Sequence, residues 1–188
     1  MGYTHYWIRP ALLDQSVFLE VVRDFKHVLP KLEQLGVLLG DELGRGGGPV
    51  VWKDRLVFNG RSACGHEDGF QLDTNHFLPA KRTCEGALGC CYETFSFHQD
   101  TGELEKDGDR NGRFFHFCKT AYKPYDFAVI VALIIVKHHF GQEVQVRSDG
   151  GTAYWADGMR FCQRHLGYGV DFCLDDANQR TKENVKTM

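Results

Sequence analysis

The stretch FFHFCKTAYKPYDFAVIVALIIVKHHFG, residues 114–141, decides the fold. Three phenylalanines among its first four residues predict a strand, and the apolar run that follows predicts a helix that is buried on every side. Pro124 suits the first helical position, because its missing N–H would be unpaired there anyway. Asp126 falls in the first turn, where a negative charge complements the helix dipole. We therefore expect a strand that leads directly into a central core helix.

The polar residues between this strand and this helix predict a ligand site. Backbone N–H groups at a helix start point outward and attract anions. Lys119, Thr120 and Lys123 lie at that point, and Tyr125 and Asp126 follow them. Lysines also commonly extend from strand ends into water without any ligand, and this alternative stays open. We predict that the cluster binds a small, anionic, nucleotide-like ligand.

A second polar cluster, residues 64–68 (CGHED), follows a predicted strand over residues 55–60. We predict that Asn59, His66, Glu67 and Asp68 hydrogen-bond the polar part of the same ligand, and that both clusters line one cavity. The alternative is a hydrolase or transferase, in which these imidazole and carboxylate groups act as general acid–base and Cys64 or a metal-bound water is the nucleophile. A hydrogen-bonded polar turn is the third interpretation. No catalytic residue is assigned.

The cysteines indicate reduced thiols. No CxxC pair occurs, and no basic-then-apolar export signal opens the chain, which favours a cytoplasmic location without disulfides. A zinc knuckle built from Cys84, Cys90, Cys91 and His98 has irregular spacing, and adjacent cysteines do not easily bind one tetrahedral ion. We therefore predict no metal and no cofactor. The seven cysteines are Cys64, Cys84, Cys90, Cys91, Cys118, Cys162 and Cys173.

Composition narrows the possible partners. The net charge of -3 gives no overall attraction to nucleic-acid polymers or anionic membranes. The longest apolar run, residues 127–136, is too short to span a bilayer. We expect one domain over residues 1–174, followed by a polar C-terminal tail over residues 175–188. The sequence leaves the oligomeric state open.

The order of elements predicts an α+β fold, a mixed or antiparallel sheet with about three helices packed on it. Strand, helix, several strands, helix, strand and helix follow one another, without the regular alternation of a doubly wound sheet. We expect Pro30 to kink or break the first helix near Leu29, and Asn59-Gly60 to form a tight turn. Residues 92–97 and 114–119 are expected to pair as a hairpin.

Several segments resemble a protein family found in bacteria, their phages and some fungi. They are MGYTHYW at residues 1–7, FNG at 58–60, CGHED at 64–68, CKTAYKPYD at 118–126 and KHHF at 137–140. The resemblance spans roughly residues 1 to 150. It implies a single domain and transfers no established activity. Its phage members make capture of a signalling nucleotide one role that the resemblance suggests.

Overall fold

Helices and antiparallel strands follow one another in the computed structural model, which describes residues 2–75, 81–102 and 112–175. The three α-helices are α1 (Gln15–Gln34), α2 (Asp126–Phe140) and α3 (Ala156–Leu166). The strands are β1 (Thr4–Pro10), β2 (Leu39–Gly40), β3 (Val50–Trp52), β4 (Arg55–Gly60), β5 (Phe70–Gln71), β6 (Thr83–Cys84), β7 (Phe95–His98), β8 (Arg113–Lys119) and β9 (Gln145–Ser148). Two 3-10 turns, Gly141–Glu143 and Thr152–Trp155, flank β9. The predicted α+β class is confirmed.

The first sheet has the strand order β8-β1-β9, and both pairings are antiparallel. Trp7 lies opposite His116 on one side and Val146 on the other. Trp7 and Val146 are buried, whereas Phe115 and Phe117, which alternate with His116, are exposed. One face of the sheet therefore covers the core, and the other faces solvent.

The second sheet is built around β4, which pairs antiparallel with β2, β3 and β7. The expected hairpin between residues 92–97 and 114–119 is therefore wrong, since β7 pairs with β4 and β8 pairs with β1. Proximity in sequence favoured the hairpin. However, β1 offers β8 a partner over the whole of its length, from Thr4 to Pro10. The charged segment at residues 103–111 lies outside the described residues.

Helix α2 is the centre of the hydrophobic core. Every residue from Asp126 to Val136 is buried, as its uniformly apolar composition predicts. It packs against α1 on one side and α3 on another, while β9 also contacts it. One continuous cluster of buried residues extends from Trp7 to Phe172. The first sheet, α1 and α3 therefore share a single core.

The backbone departs from two local expectations. Helix α1 continues through Pro30 to Gln34, so the expected break is absent, while a kink stays a prediction. Pro30 is exposed, so the carbonyl that loses its bond to the missing N–H faces water, which can satisfy it. Asn59 and Gly60 do not form the expected turn, because neither has the positive φ that it requires. They instead end β4 as extended residues.

The described chain ends in an ordered contact. Lys137 Nζ lies 2.8 Å from Asp175 Oδ2, and the backbone N–H of Val146 donates to the same carboxylate oxygen at 2.7 Å. Asp175, the first residue of the predicted tail, thus contacts α2 and β9, and residues 176–188 lie outside the described residues. Among the described ranges, no helix combines the length and the apolar character needed to cross a membrane.

Candidate functional site

Most of the side chains predicted to bind a ligand at the start of α2 are buried and make hydrogen bonds within the protein. Thr120, Tyr125 and Asp126 are fully buried. The Thr120 hydroxyl donates to Asp126 Oδ1 at 2.5 Å, and the Tyr125 hydroxyl donates to the Glu93 carbonyl at 2.6 Å. These groups hold the first turn of α2 in place, so an external anion would have to displace internal bonds to reach them.

Asp126 is the centre of a buried charge network. His5 Nε2 lies 2.7 Å from Oδ1, and Arg82 Nε lies 2.7 Å from Oδ2. Arg82 Nη1 also reaches Asp157 Oδ2 at 2.5 Å. Burial alone would raise the pKa of Asp126, but the charges of His5 and Arg82 outweigh it and hold that pKa well below its usual range. The negative charge predicted for the first helical turn is therefore present, and it is paired internally with Arg82 and hydrogen-bonded to His5.

Ser148, His5 and Asp126 form a continuous row of polar contacts. Ser148 Oγ lies 3.1 Å from His5 Nδ1, and His5 Nε2 contacts Asp126 at 2.7 Å. The same three residue types form hydrolytic triads. Here His5 is fully buried and Asp126 is already paired with Arg82. We interpret the row as a structural bridge that fixes β1 and β9 to the start of α2.

The two predicted anion-binding lysines have different surroundings. Lys123 is largely buried, and its Nζ donates to the Glu85 carbonyl at 2.5 Å. Lys119 is partly exposed, with its Nζ 5.9 Å from the centre of the Tyr92 ring. Asn59 is also buried. Its side-chain amide donates to the Tyr92 carbonyl at 2.9 Å and accepts from the Tyr92 N–H at 3.0 Å. Of these three predicted contacts, Lys119 alone reaches the surface.

The CGHED turn and the start of α2 meet through a third segment. Cys64 Sγ lies 3.5 Å from Cys84 Sγ, while Lys123 bonds the next residue, Glu85. The backbone of Thr83 also donates to Tyr122, at 2.8 Å. Residues 83–85 therefore contact both clusters by direct packing, and the prediction that the two clusters line one cavity stays a prediction.

The acidic members of the CGHED turn lie at the surface. Glu67 and Asp68 are exposed, and Asp68 Oδ1 accepts the backbone N–H of Gly86 at 3.1 Å. His66 instead contacts a thiol, with its Nδ1 3.2 Å from Cys90 Sγ. The imidazole and the carboxylates therefore have separate surroundings. The acid–base alternative stays a prediction.

The outer face of the first sheet carries a surface that the sequence prediction missed. Phe115 and Phe117 are 58% and 56% exposed, with ring centres 6.3 Å apart. Tyr6 stacks on Phe115 at 5.8 Å. We call these three rings the aromatic strip. Alternation along RFFHFCK could have revealed it, because residues 115 and 117 must share the face opposite to that of His116 and Cys118.

Cations border the aromatic strip on the same face. Arg147 lies directly opposite Tyr6 in the pairing of β1 with β9. Arg113 and Lys119 stand at the two ends of β8, in alternation with Phe115 and Phe117. All three cations are partly exposed. The face therefore combines flat apolar rings with positive charge, although the whole chain is weakly acidic.

A cleft of about 410 Å³ lies beside the strip, between β8 and β7. His98 Nε2 and Ser96 Oγ face each other there at 3.0 Å. Burial, with the charge of Arg55, lowers the pKa of His98, and burial with the charge of Arg9 lowers that of His116 to about 4. Both imidazoles are neutral at pH 7, so His98 can hydrogen-bond in the cleft without carrying a charge. Residues lining the cleft include Trp7, Thr94, Ser96, His98, Phe115 and Phe117.

Comparison of the chain with protein-family models, with curated proteins and with solved structures finds no match. The site is therefore interpreted from its own geometry and chemistry.

Proposed function

We propose that the protein binds a small nucleotide-like ligand on the aromatic strip and in the cleft beside it. The observation that carries this proposal is the exposure of two neighbouring phenylalanines, Phe115 and Phe117, on a face bordered by cations. Apolar side chains grouped at a surface are typical of binding sites. A base stacked on an aromatic ring gains about 1–3 kcal/mol, which is a physical reason to keep such rings exposed.

The cations provide the second part of the recognition. A phosphate needs charge-assisted hydrogen bonds, and Arg147 and Lys119 lie on the same face as the rings. The proposal thus keeps the anionic ligand expected from the sequence. It moves the ligand from the buried start of α2 to the outer face of the first sheet, where Lys119 is common to both sites.

The cleft favours a small ligand over a polymer. Its volume of about 410 Å³ falls within the range typical of small-molecule pockets. The hydroxyl of Ser96 and the neutral imidazole of His98 can hydrogen-bond a base edge or a sugar. A ligand whose ring stacks on Phe115 and whose polar groups enter this cleft would use both features. Capture of a signalling nucleotide is one role that such a site could serve.

Calorimetric titration with ATP, with a cyclic dinucleotide and with a short single-stranded oligonucleotide tests the proposal. We expect Phe117→Ala to weaken binding of at least one of the first two ligands by roughly 5- to 150-fold, from the loss of one stacking contact. Leu12→Ala is the matched control, because Leu12 is similarly exposed, at 62%, and lies outside the strip. Arg147→Ala should also weaken binding, whereas Lys26→Ala, on exposed α1 surface, should not.

Three results would overturn the proposal. The first is the absence of binding to either small nucleotide. The second is binding that Phe117→Ala leaves unchanged. The third is a homodimer that Phe117→Ala dissociates, with no nucleotide bound, since the strip would then be a subunit interface. Tight binding of the oligonucleotide alone would show that the strip binds a single-stranded polymer and not a small nucleotide.

A further inference from the structure

We propose that Cys64, His66, Cys84 and Cys90 bind one zinc ion. Each residue contributes one ligand atom, and the four atoms all lie within 4.8 Å of one another. Three thiols and one imidazole form a recognised structural zinc set. The site is separate from the aromatic strip and does not depend on nucleotide binding. It reverses our sequence-based prediction that the chain has no metal.

The distances between the ligand atoms suit a tetrahedral ion. Zn–S bonds of about 2.3 Å and Zn–N bonds of about 2.0–2.1 Å place tetrahedral ligand atoms roughly 3.5–3.8 Å apart. Cys64 Sγ and Cys84 Sγ are 3.5 Å apart, and His66 Nδ1 is 3.2 Å from Cys90 Sγ. The distance between the two sulfur atoms is much longer than a disulfide bond of about 2.05 Å, and Cys64, Cys84 and Cys90 are all free cysteines. The group is therefore arranged around a shared point and not as a covalent pair.

The adjacent cysteines, Cys90 and Cys91, do not both have to bind the ion. Only Cys90 joins the cluster. The Cys91 thiol lies 3.8 Å from the carbonyls of Leu43 and Tyr92 instead. His98, which we had weighed as a ligand from the sequence, belongs to β7 and contacts Ser96. The fourth ligand is thus His66, which lies far from Cys84 in the sequence and gives no recognisable spacing.

Neighbouring groups position and balance the proposed site. The Phe70 ring stacks on His66, with ring centres 4.0 Å apart and planes 14° apart, so the imidazole plane is fixed. Three thiolates and Zn²⁺ leave one net negative charge. The ammonium of Lys123 donates a hydrogen bond to the carbonyl of Glu85, which follows Cys84 in the chain, and it supplies a positive charge nearby. Outer groups of this kind orient and tune metal ligands.

The ion would be structural. Four protein ligands complete a tetrahedron and leave no position open for substrate or water. They come from three segments, namely the turn after β4, the end of β6 and the turn before β7. The paired strands in this region, β5 and β6, have two residues each. A zinc ion would join these segments directly, and such binding free energy contributes to folding.

Elemental analysis of the full chain, purified without a polyhistidine tag, tests the proposal. We expect one zinc per chain in the wild-type protein and in Cys91→Ser, the control at the adjacent, non-ligating thiol. Cys90→Ser should lose the zinc. Because this variant could fail to fold, cobalt substitution of the wild-type protein gives an independent readout. Thiolate-to-cobalt charge-transfer bands and intense tetrahedral d–d bands are expected.

Each contrary result overturns the proposal. A wild-type protein that holds no zinc, and takes up none after reduction and addition of zinc chloride, has no such site. Full retention of zinc by folded Cys90→Ser excludes the assigned ligands. An octahedral cobalt spectrum excludes the thiolate set, and a Cys64–Cys84 disulfide in protein prepared under reducing conditions would identify the cluster as a redox pair.

Discussion

Replacing Asp126 by asparagine tests how the buried start of α2 is held. The Asp126 carboxylate accepts from His5 and Thr120 on one oxygen and from Arg82 on the other. Asparagine keeps the shape but removes the charge, and one of its two polar atoms becomes a donor. If the amide nitrogen faces Arg82, a donor faces a donor. If it faces His5, the imidazole must change tautomer and the Thr120 hydroxyl must turn to its other acceptor, the Tyr3 carbonyl. Asp157 remains as the counter-charge of Arg82.

The expected loss of stability is large. Breaking a buried ion pair by removing one partner costs about 3–5 kcal/mol, because the other charge stays buried without compensation. Whole domains are stable by only about 5–15 kcal/mol. With a urea dependence of about 1–3 kcal/mol per molar, the midpoint of urea unfolding should fall by at least about 1 M.

Urea unfolding, followed by circular dichroism and tryptophan fluorescence, measures this shift. The matched control is Asp54→Asn, the same substitution at a pair with Arg55 whose side chains are about half exposed and 3.8 Å apart. Exposed pairs of this kind contribute about 0–1 kcal/mol, so the control should unfold close to the wild type. If Asp126→Asn lowers the midpoint no more than Asp54→Asn does, the buried network does not stabilise α2.

Two further predictions concern pH and packing. The pKa of Asp126 is lowered in the folded state, so the unfolded chain takes up protons first, and stability present above about pH 5 is lost as the pH falls. The pKa of His116 is about 4 in the folded protein and about 6.5 in the unfolded chain, so His116 also lowers the stability of the folded protein as the pH falls from about 6.5 to about 4. Denaturant midpoints measured from pH 7 to 4 for the wild type and for His116→Gln check this. Gly158→Ala should destabilise by about 1–3 kcal/mol, because its Cβ would lie 2.5 Å from Ile130 Cγ2. Gly151→Ala, which meets no atom within 4 Å, should leave the thermal midpoint near that of the wild type; equal shifts in the two variants would contradict the packing argument.

Local chemistry predicted the central elements well. The composition of residues 127–136 indicated a helix buried on every side, and α2 is such a helix. The alternating residues of β1 indicated a strand. Pairing between distant segments could not be predicted, because β1 lies over 100 residues from β8 and more than one partner fits an alternating strand. For that reason the hairpin prediction was wrong.

The site predictions depended on which residues become buried. Thr120, Tyr125 and Asp126 have side chains that suit a ligand, but equally suit internal bonds, and only the fold decides between the two. The four-residue cluster of cysteines and histidine could not be found by spacing, since the fold brings Cys84 and Cys90 to Cys64 and His66 from distant positions in the sequence. Phe115 and Phe117 could have been assigned to one exposed face by alternation alone.

The position of β1 between β8 and β9 has a consequence for synthesis on the ribosome. The central strand of the first sheet is made first, and its second neighbour, β9, follows about 140 residues later. At about 5–20 residues per second, the edge of β1 that pairs with β9 waits roughly 7–28 s for its partner. Until residues 145–148 emerge, the nascent chain therefore exposes an unpaired edge of an aromatic strand, and such an edge is a substrate for chaperones.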